Sequence, residues 1–204
     1  MKNFKRVLTA CMLVVMLASL FALTSCFGGG VEGTLEDLID ADSYTMVRES
    51  GERKETVKYD SDTLTVYICS DYDGAKTETY YYQDEDAGKY YKAWSLVVGS
   101  TTTVKRAELT VGQFIEAVGS YGSVGSVGTF VDTLDLWTET ENGYEYSTKD
   151  EKTTIELDEN DALVITMMEI EESKTSVQYK ITCSDINNTE IEVPENFRTA
   201  KLSD

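Results

Sequence analysis

The chain contains no histidine. That absence removes Ser-His-Asp and Cys-His catalysis and the ordinary zinc ligand sets in one step. Proline is nearly absent too, and its one copy, Pro194, falls where losing an N–H donor costs a sheet little. Positive charge is scarce, with 18 Lys and Arg against 37 Asp and Glu. Only one long apolar run exists, from Val7 to Ala22. What remains is a polar, acidic, tyrosine-rich chain that alternates apolar and polar residues over most of its length.

The first 26 residues differ from the rest. Lys2, Lys5 and Arg6 precede the apolar run, and no further charge follows until Glu32. A basic start followed by a short apolar segment marks an export signal. A plain membrane anchor is the alternative, since about 20 apolar residues suffice to cross a bilayer. Leu23-Thr24-Ser25-Cys26 decides between them, because it resembles the lipobox of bacterial prolipoproteins. The resemblance implies cleavage before Cys26 and a diacylglycerol on its sulfur, and two acyl chains hold a protein stably where one is marginal. The expected organisation is a signal peptide over 1–25, a glycine-rich tether over 26–33, and a single β-rich domain over 34–204. Cleavage leaves 179 residues, enough for one domain with its own core. The mature chain keeps 15 Lys and Arg against 37 Asp and Glu, a formal net charge of −22. Such a surface repels nucleic-acid phosphates and anionic headgroups alike. Attachment to the membrane is therefore expected from the lipid, at the outer face of the cytoplasmic membrane. In a cell with two membranes, Phe27 stands where an Asp retention signal would, and the outer membrane is expected.

Beyond the tether, Thr34 to Ala41 reads as a short helix, with Thr34 as N-cap and Leu35, Leu38 and Ile39 as its apolar stripe. Strands are then expected at Tyr44–Val47, Glu55–Tyr59, Thr63–Ser70, Thr77–Gln83 and Lys89–Val98. Later ones are expected at Leu134–Thr140, Tyr144–Thr148, Thr153–Leu157, Ala162–Glu171, Thr175–Ser184 and Glu190–Val193. Turn chemistry about every ten residues describes an antiparallel meander, with Asn142-Gly143 the strongest hairpin signal. Thr110 and Gln113 form a capping box ahead of Val111, Phe114, Ile115 and Val118, which predicts a helix ending at Gly119. The fold class expected is mainly β: a curved antiparallel sheet or open half-barrel of about nine to eleven strands, with two short helices on its concave side.

No residue set carries catalytic chemistry. Carboxylates are plentiful, but on so acidic a chain they read as solvated surface. Asp71-x-Asp73-Gly74 begins like a calcium loop, yet Ala75, Thr77 and Thr79 follow where oxygen ligands and a terminal Glu are needed, so it reads as a turn. The turns at Asp84–Gly88 and Asp158–Asp161 read the same way. No metal and no cofactor is expected. The triplets Gly119-Ser120-Tyr121, Gly122-Ser123-Val124 and Gly125-Ser126-Val127, closed by Gly128, lack the lysine of a phosphate loop. They read as a linker, or as a flap over a cavity. Tyr80, Tyr81, Tyr82, Tyr90 and Tyr91, near Trp94, are expected to pack across strands. Cys69 and Cys183 sit on opposite strand phases, which argues against a disulfide between them. Strand 162–171 is apolar on both faces, so one helix cannot cover it. Ile165, Met168 and Ile170, with Phe114, are the candidate ligand-facing residues.

From about Ser43 to Phe197 the layout resembles the LolA-like lipoprotein and lipid carriers, including LppX-type lipoproteins. The matching pieces are a helix before the first strand, consecutive antiparallel strands, a central helix, and a close at Asn188-Thr189-Glu190-Ile191-Glu192-Val193-Pro194. The resemblance implies a half-barrel with room for acyl chains, and acylation at Cys26 would make it a fixed receptor in place of a shuttle. The function expected is binding of a lipid or other apolar molecule. The alternative is an envelope-structural or protein-interaction module with a closed core. Both rank above catalysis. Cys26→Ala should abolish incorporation of labelled fatty acid and leave the precursor uncut; undiminished labelling would refute the anchor.

Overall fold

The computed structural model of the protein describes residues 30–98, 101–122, 127, 130–171 and 174–203. The expected signal, Cys26, Gly125 and Gly128 lie outside the described residues. Eleven strands form one antiparallel sheet: β1 Ser43–Ser50, β2 Arg53–Asp60, β3 Thr65–Tyr72, β4 Ala75–Asp84, β5 Lys89–Val98, β6 Thr101–Leu109, β7 Thr138–Glu139, β8 Gly143–Ser147, β9 Glu151–Leu157, β10 Leu163–Glu171 and β11 Lys174–Ser184. Among the described residues, these helices accompany them: α1 Val31–Ile39, α2 Val111–Gly119 and the single turn α3 Glu195–Arg198. The sheet is curved and open, as the alternating sequence pattern predicts.

Strand order is β6-β5-β4-β3-β2-β1-β11-β10-β9-β8-β7. Two meanders therefore meet at the centre, where Met46 of β1 pairs with Cys183 of β11. The first runs outward from β1 to one edge at β6. The second starts at the far edge, β7, and runs inward to β11. With strands about 4.8 Å apart, the edges are on the order of 48 Å apart along the sheet. The chain must cross that span between β6 and β7, and Phe114, Val118, Val127 and Leu134 of that connection lie on the face that carries α1 and α2. After β11 the chain crosses again, on the opposite face, and reaches β6.

These two crossings supply the covers that a sheet with two apolar faces needs. On the helical face the core joins Tyr44, Met46, Val57, Val66, Ile155, Leu163, Ile165, Ile181 and Cys183 of the strands to Leu35 and Leu38 of α1, Phe114 and Val118 of α2, Val127 and Leu134. On the opposite face, Ile191, Val193 and Phe197 of the C-terminal segment cover Tyr67, Tyr80, Tyr82, Tyr91 and Ala93. That segment is pinned at the sheet centre, where Thr189 N–H donates to Ser43 Oγ at 3.1 Å and Asn187 N–H to Ser43 O at 2.7 Å. It ends beside β6, where Arg106 N–H donates to Lys201 O and Ser203 N–H to Arg106 O.

Several boundaries differ from expectation. Helix α1 starts at Val31, not after Thr34, because Gly30 takes the extended N-cap conformation and Val31 is buried. Its stripe is Val31, Leu35 and Leu38; Ile39 is exposed. Residues 30–33 of the expected tether are thus part of the fold. Leu64 lies outside β3, in a left-handed turn at φ 48°, so the strand begins at Thr65. The I′ hairpin is Asp73-Gly74, with φ 48° and 75° between the paired Tyr72 and Ala75. Asn142-Gly143 also makes a hairpin, but only Gly143 has positive φ, at 153°. A Cβ there would lie 2.1 Å from Ile155 O, so glycine is needed for close approach between β8 and β9. Leu134–Leu136 is a 3₁₀ turn, and only Thr138–Glu139 of the expected strand pairs. Glu190–Val193 is extended but pairs with no strand, since it lies across the sheet as a cover.

Leu38 has no solvent exposure beneath the sheet. Leu38→Ala should destabilise the domain by about 2–5 kcal/mol, read from the denaturant midpoint at unchanged slope. A loss below about 0.5 kcal/mol, the range of ordinary surface changes, would mean that α1 does not close the core.

Candidate functional site

The four candidate ligand-facing residues do not converge on one cavity. Ile165 and Phe114 belong to the sealed core, and the Phe114 ring lies 4.6 Å from that of Tyr90. Met168 and Ile170 are half-buried on the other side of β10. There β11 carries a bulge, with Met167 opposite Tyr179 and Met168 opposite Val177. Met168 lines only an open groove of about 300 Å³ with Thr153, Glu169 and Gln178. The two apolar faces of strand 162–171 are real at its start, where Leu163, Val164 and Ile165 are all buried. Protein side chains cover the helical one.

Where it is described, the connection between β6 and β7 rests on the sheet. Gly119 closes α2, which packs on β4, β5 and β6. The capping box expected there is formed, with Thr110 Oγ1 accepting from Gln113 N–H and Thr110 N–H donating to Gln113 Oε1. Two residues on, Tyr44 of β1 donates its hydroxyl hydrogen to Tyr121 O. A Cβ on Gly122 would meet the Tyr59 hydroxyl of β2 at 3.1 Å. The crossing thus rests on mid-sheet tyrosines at this point. It reaches the far edge where Phe130 meets Trp137 edge-on at 5.6 Å, and Trp137 meets Tyr146 of β8 at 5.6 Å.

Three further openings are lined by described residues at the surface. The largest, about 610 Å³, lies between the start of α1 and the β7–β8 hairpin, with Glu32, Glu36, Glu139 and Glu141 on its walls. Beside the same hairpin, Phe130, Thr133, Leu136, Trp137 and Tyr146 line an aromatic groove of about 330 Å³. A polar opening of about 300 Å³ lies between the β4–β5 turn and Arg198. Among the described residues, no three Cys, Asp or Glu side chains gather closely enough to hold a metal ion. The turn carboxylates are used locally. Asp158 Oδ1 accepts from Asn160 and Ala162 N–H, Asp84 Oδ1 from Ala87 N–H, and Asp60 from Asp62 N–H and the Thr63 hydroxyl.

Cys69 and Cys183 are free and buried, as opposed strand phases require. Cys183 lies in the core under the helices, whereas Cys69 shares the opposite face with Tyr67. Burial pushes the Cys183 thiol up to about 12, so it is a poor nucleophile. The tyrosines pack across strands as expected: Tyr67 with Tyr80 at 4.8 Å, Tyr82 with Tyr91 at 5.6 Å, and Tyr80 with Phe197 at 4.7 Å. The helical spacing predicts one apolar stripe that includes Val111 and Ile115, but both are exposed. A nine-residue helix seated on one sheet can bury only the Phe114 and Val118 side. No family model, curated protein or solved structure matches the chain.

Burial pushes the phenols of Tyr44 and Tyr80 up to about 12. The unfolded chain therefore ionises first, near the ordinary tyrosine value of about 10. Stability contributed by these groups is complete below that pH and is lost as pH rises toward 12, and Cys183 extends the window down toward its ordinary thiol value. Alkaline titration followed by circular dichroism should show this loss, and Tyr80→Phe should move the unfolding midpoint to higher pH. A midpoint unmoved or lowered would contradict the assignment.

Proposed function

We propose that the chain is an extracytoplasmic lipoprotein held to its membrane through Cys26, whose domain is a non-enzymatic protein-interaction or envelope-structural module with a closed core. The observation that carries this reading is the filled helical face. Leu35, Leu38, Ile165 and Val127 have no solvent exposure there, and Phe114 has 1 %. Acyl chains in a LolA-like half-barrel would need that same space, and would have to displace α1 or α2 to enter it. Fully burying each such side chain is worth roughly 1.5–3 kcal/mol, so displacement would be opposed by several of these terms at once. Val111 and Ile115, 53 % and 63 % exposed on α2, offer apolar surface to a partner. Lipid or small-molecule binding, the other reading of the sequence, calls for a ligand that stabilises the native state by mass action.

The two readings separate in a thermal-shift experiment on the mature Cys26→Ser chain. Monomeric fatty acids and short-chain phospholipids and glycolipids should leave its unfolding temperature unchanged. A concentration-dependent rise with any of them would replace the closed-core reading by the carrier one.

A further inference from the structure

Beside the β7–β8 hairpin, Phe130, Leu136, Trp137 and Tyr146 gather around an open groove, the rings of Phe130 and Trp137 half-buried and Leu136 and Tyr146 exposed. Leu136 is 70 % exposed and Tyr146 46 %. The three rings form a chain in which each meets the next at 5.6 Å, so the patch is built and not a scatter of loose side chains. Its polar contribution comes from the rim, chiefly Thr133.

Position in the fold says what covers it. Trp137 leads directly into β7, and Tyr146 lies on β8, so the patch belongs to the β7–β8 hairpin at one edge of the sheet. The same hairpin borders the start of α1, since Gly30, Val31 and Gly33 share the acidic groove with residues 139–144. Tyr144, on the wall of that groove, precedes Tyr146 by two residues, about 7 Å along a strand. Only Phe27, Gly28 and Gly29 separate Cys26 from Gly30. Four residue steps span at most about 14 Å, so a lipid on Cys26 holds this hairpin, and not the β6 edge, against the bilayer.

We infer that the Phe130–Leu136–Trp137–Tyr146 groove is the surface through which the tethered domain contacts the interface of its own lipid bilayer. The inference rests on the Cys26 anchor of the proposed function and adds an orientation to it. Tryptophan and tyrosine suit that position, because their rings are apolar with one polar edge and are enriched at headgroup depth. The tether supplies the proximity, so the patch need only add a modest attraction of its own. The charged residues on the groove beside the hairpin are the acidic Glu32, Glu36, Glu139 and Glu141, so the contact draws on the rings and not on positive charge.

The test uses the full-length chain, expressed in a bacterium with labelled fatty acid and purified as the acylated protein. The chain has two tryptophans, Trp94 and Trp137, so Trp94→Phe leaves Trp137 as the only one. Reconstituted in phosphatidylcholine vesicles with brominated acyl chains, Trp137 emission should fall about twofold relative to unbrominated vesicles, as expected for an indole at the interface. In the reciprocal Trp137→Phe form, Trp94 emission should not change, since Trp94 lies on β5 beside Lys92. An acylated chain with equal Trp137 emission in both vesicles overturns the inference and leaves the anchor standing. A chain that takes up no fatty acid overturns the anchor, and this inference with it. Unquenched Trp137 in an acylated protein that elutes as a dimer would assign the groove to a second copy instead.

Discussion

Everything in this structure follows from an open sheet whose strands are apolar on more than one side. A barrel would bury its inner face by closure, but here β6 and β7 never meet. Each face therefore needs a roof made from the chain itself. The topology provides both. Because each meander ends at an edge or at the centre, the segments that reconnect them must traverse the sheet, and a traversing segment is a cover. On the helical face the described parts of the traverse are α2, Val127 and the 3₁₀ turn, joined by α1 before β1. On the other face it is the C-terminal segment from Asn187 to Ser203.

This arrangement explains which parts of the fold were legible in the sequence. Strands with a neighbour on both sides either alternate or, like β10, run apolar on both faces, and the pattern places β1 to β5 and β8 to β11 close to their true bounds. The capping box at Thr110 and the opposed phases of Cys69 and Cys183 were also readable, because both depend on local geometry. Strand β6 was missed. It is an edge strand, and its run Thr101-Thr102-Thr103-Val104-Lys105-Arg106 presents no apolar face to either side. The opposite error occurred at Glu190–Val193, where the alternation of Ile191 and Val193 comes from an extended cover lying on tyrosines and not from pairing. At Leu134–Thr140 a run of apolar residues was read as a strand, but Leu134 turns inward to the core while Trp137 packs on β8.

The site was less legible than the fold, for a physical reason. Strand β10 signals that it is buried on both sides, but a sequence does not say whether protein or ligand does the burying. On the helical face the answer lies in residues far away in sequence, Leu35 and Leu38 more than a hundred positions earlier, which meet Leu163 and Ile165 only once the two meanders have joined. The aromatic groove was hidden by a different cause. Phe130, Trp137 and Tyr146 belong to three separate segments, and no periodicity links them. Only the hairpin β7–β8 brings them together.

Charge and aromaticity then act in opposite senses at the same edge of the sheet. Cut before Cys26 as proposed, the chain would carry a formal charge of −22 and be repelled by an anionic leaflet, and at about 0.15 M salt that repulsion would decay over about 8 Å. On the proposed Cys26 anchor, a tether of three residues would hold the β7–β8 hairpin within about 14 Å of the lipid, where Glu139 and Glu141 would oppose close approach. Aromatic contact resists that push without needing positive charge, since it depends on buried ring area and on the interfacial position that indole and phenol favour. On the proposed anchor the two effects would together fix a geometry: the hairpin edge near the lipid, with β6 and its closing C-terminal residues at the opposite side of the sheet. The exposed Val111 and Ile115 of α2, which packs over β4 to β6, would then face away from the bilayer, where a partner can reach them.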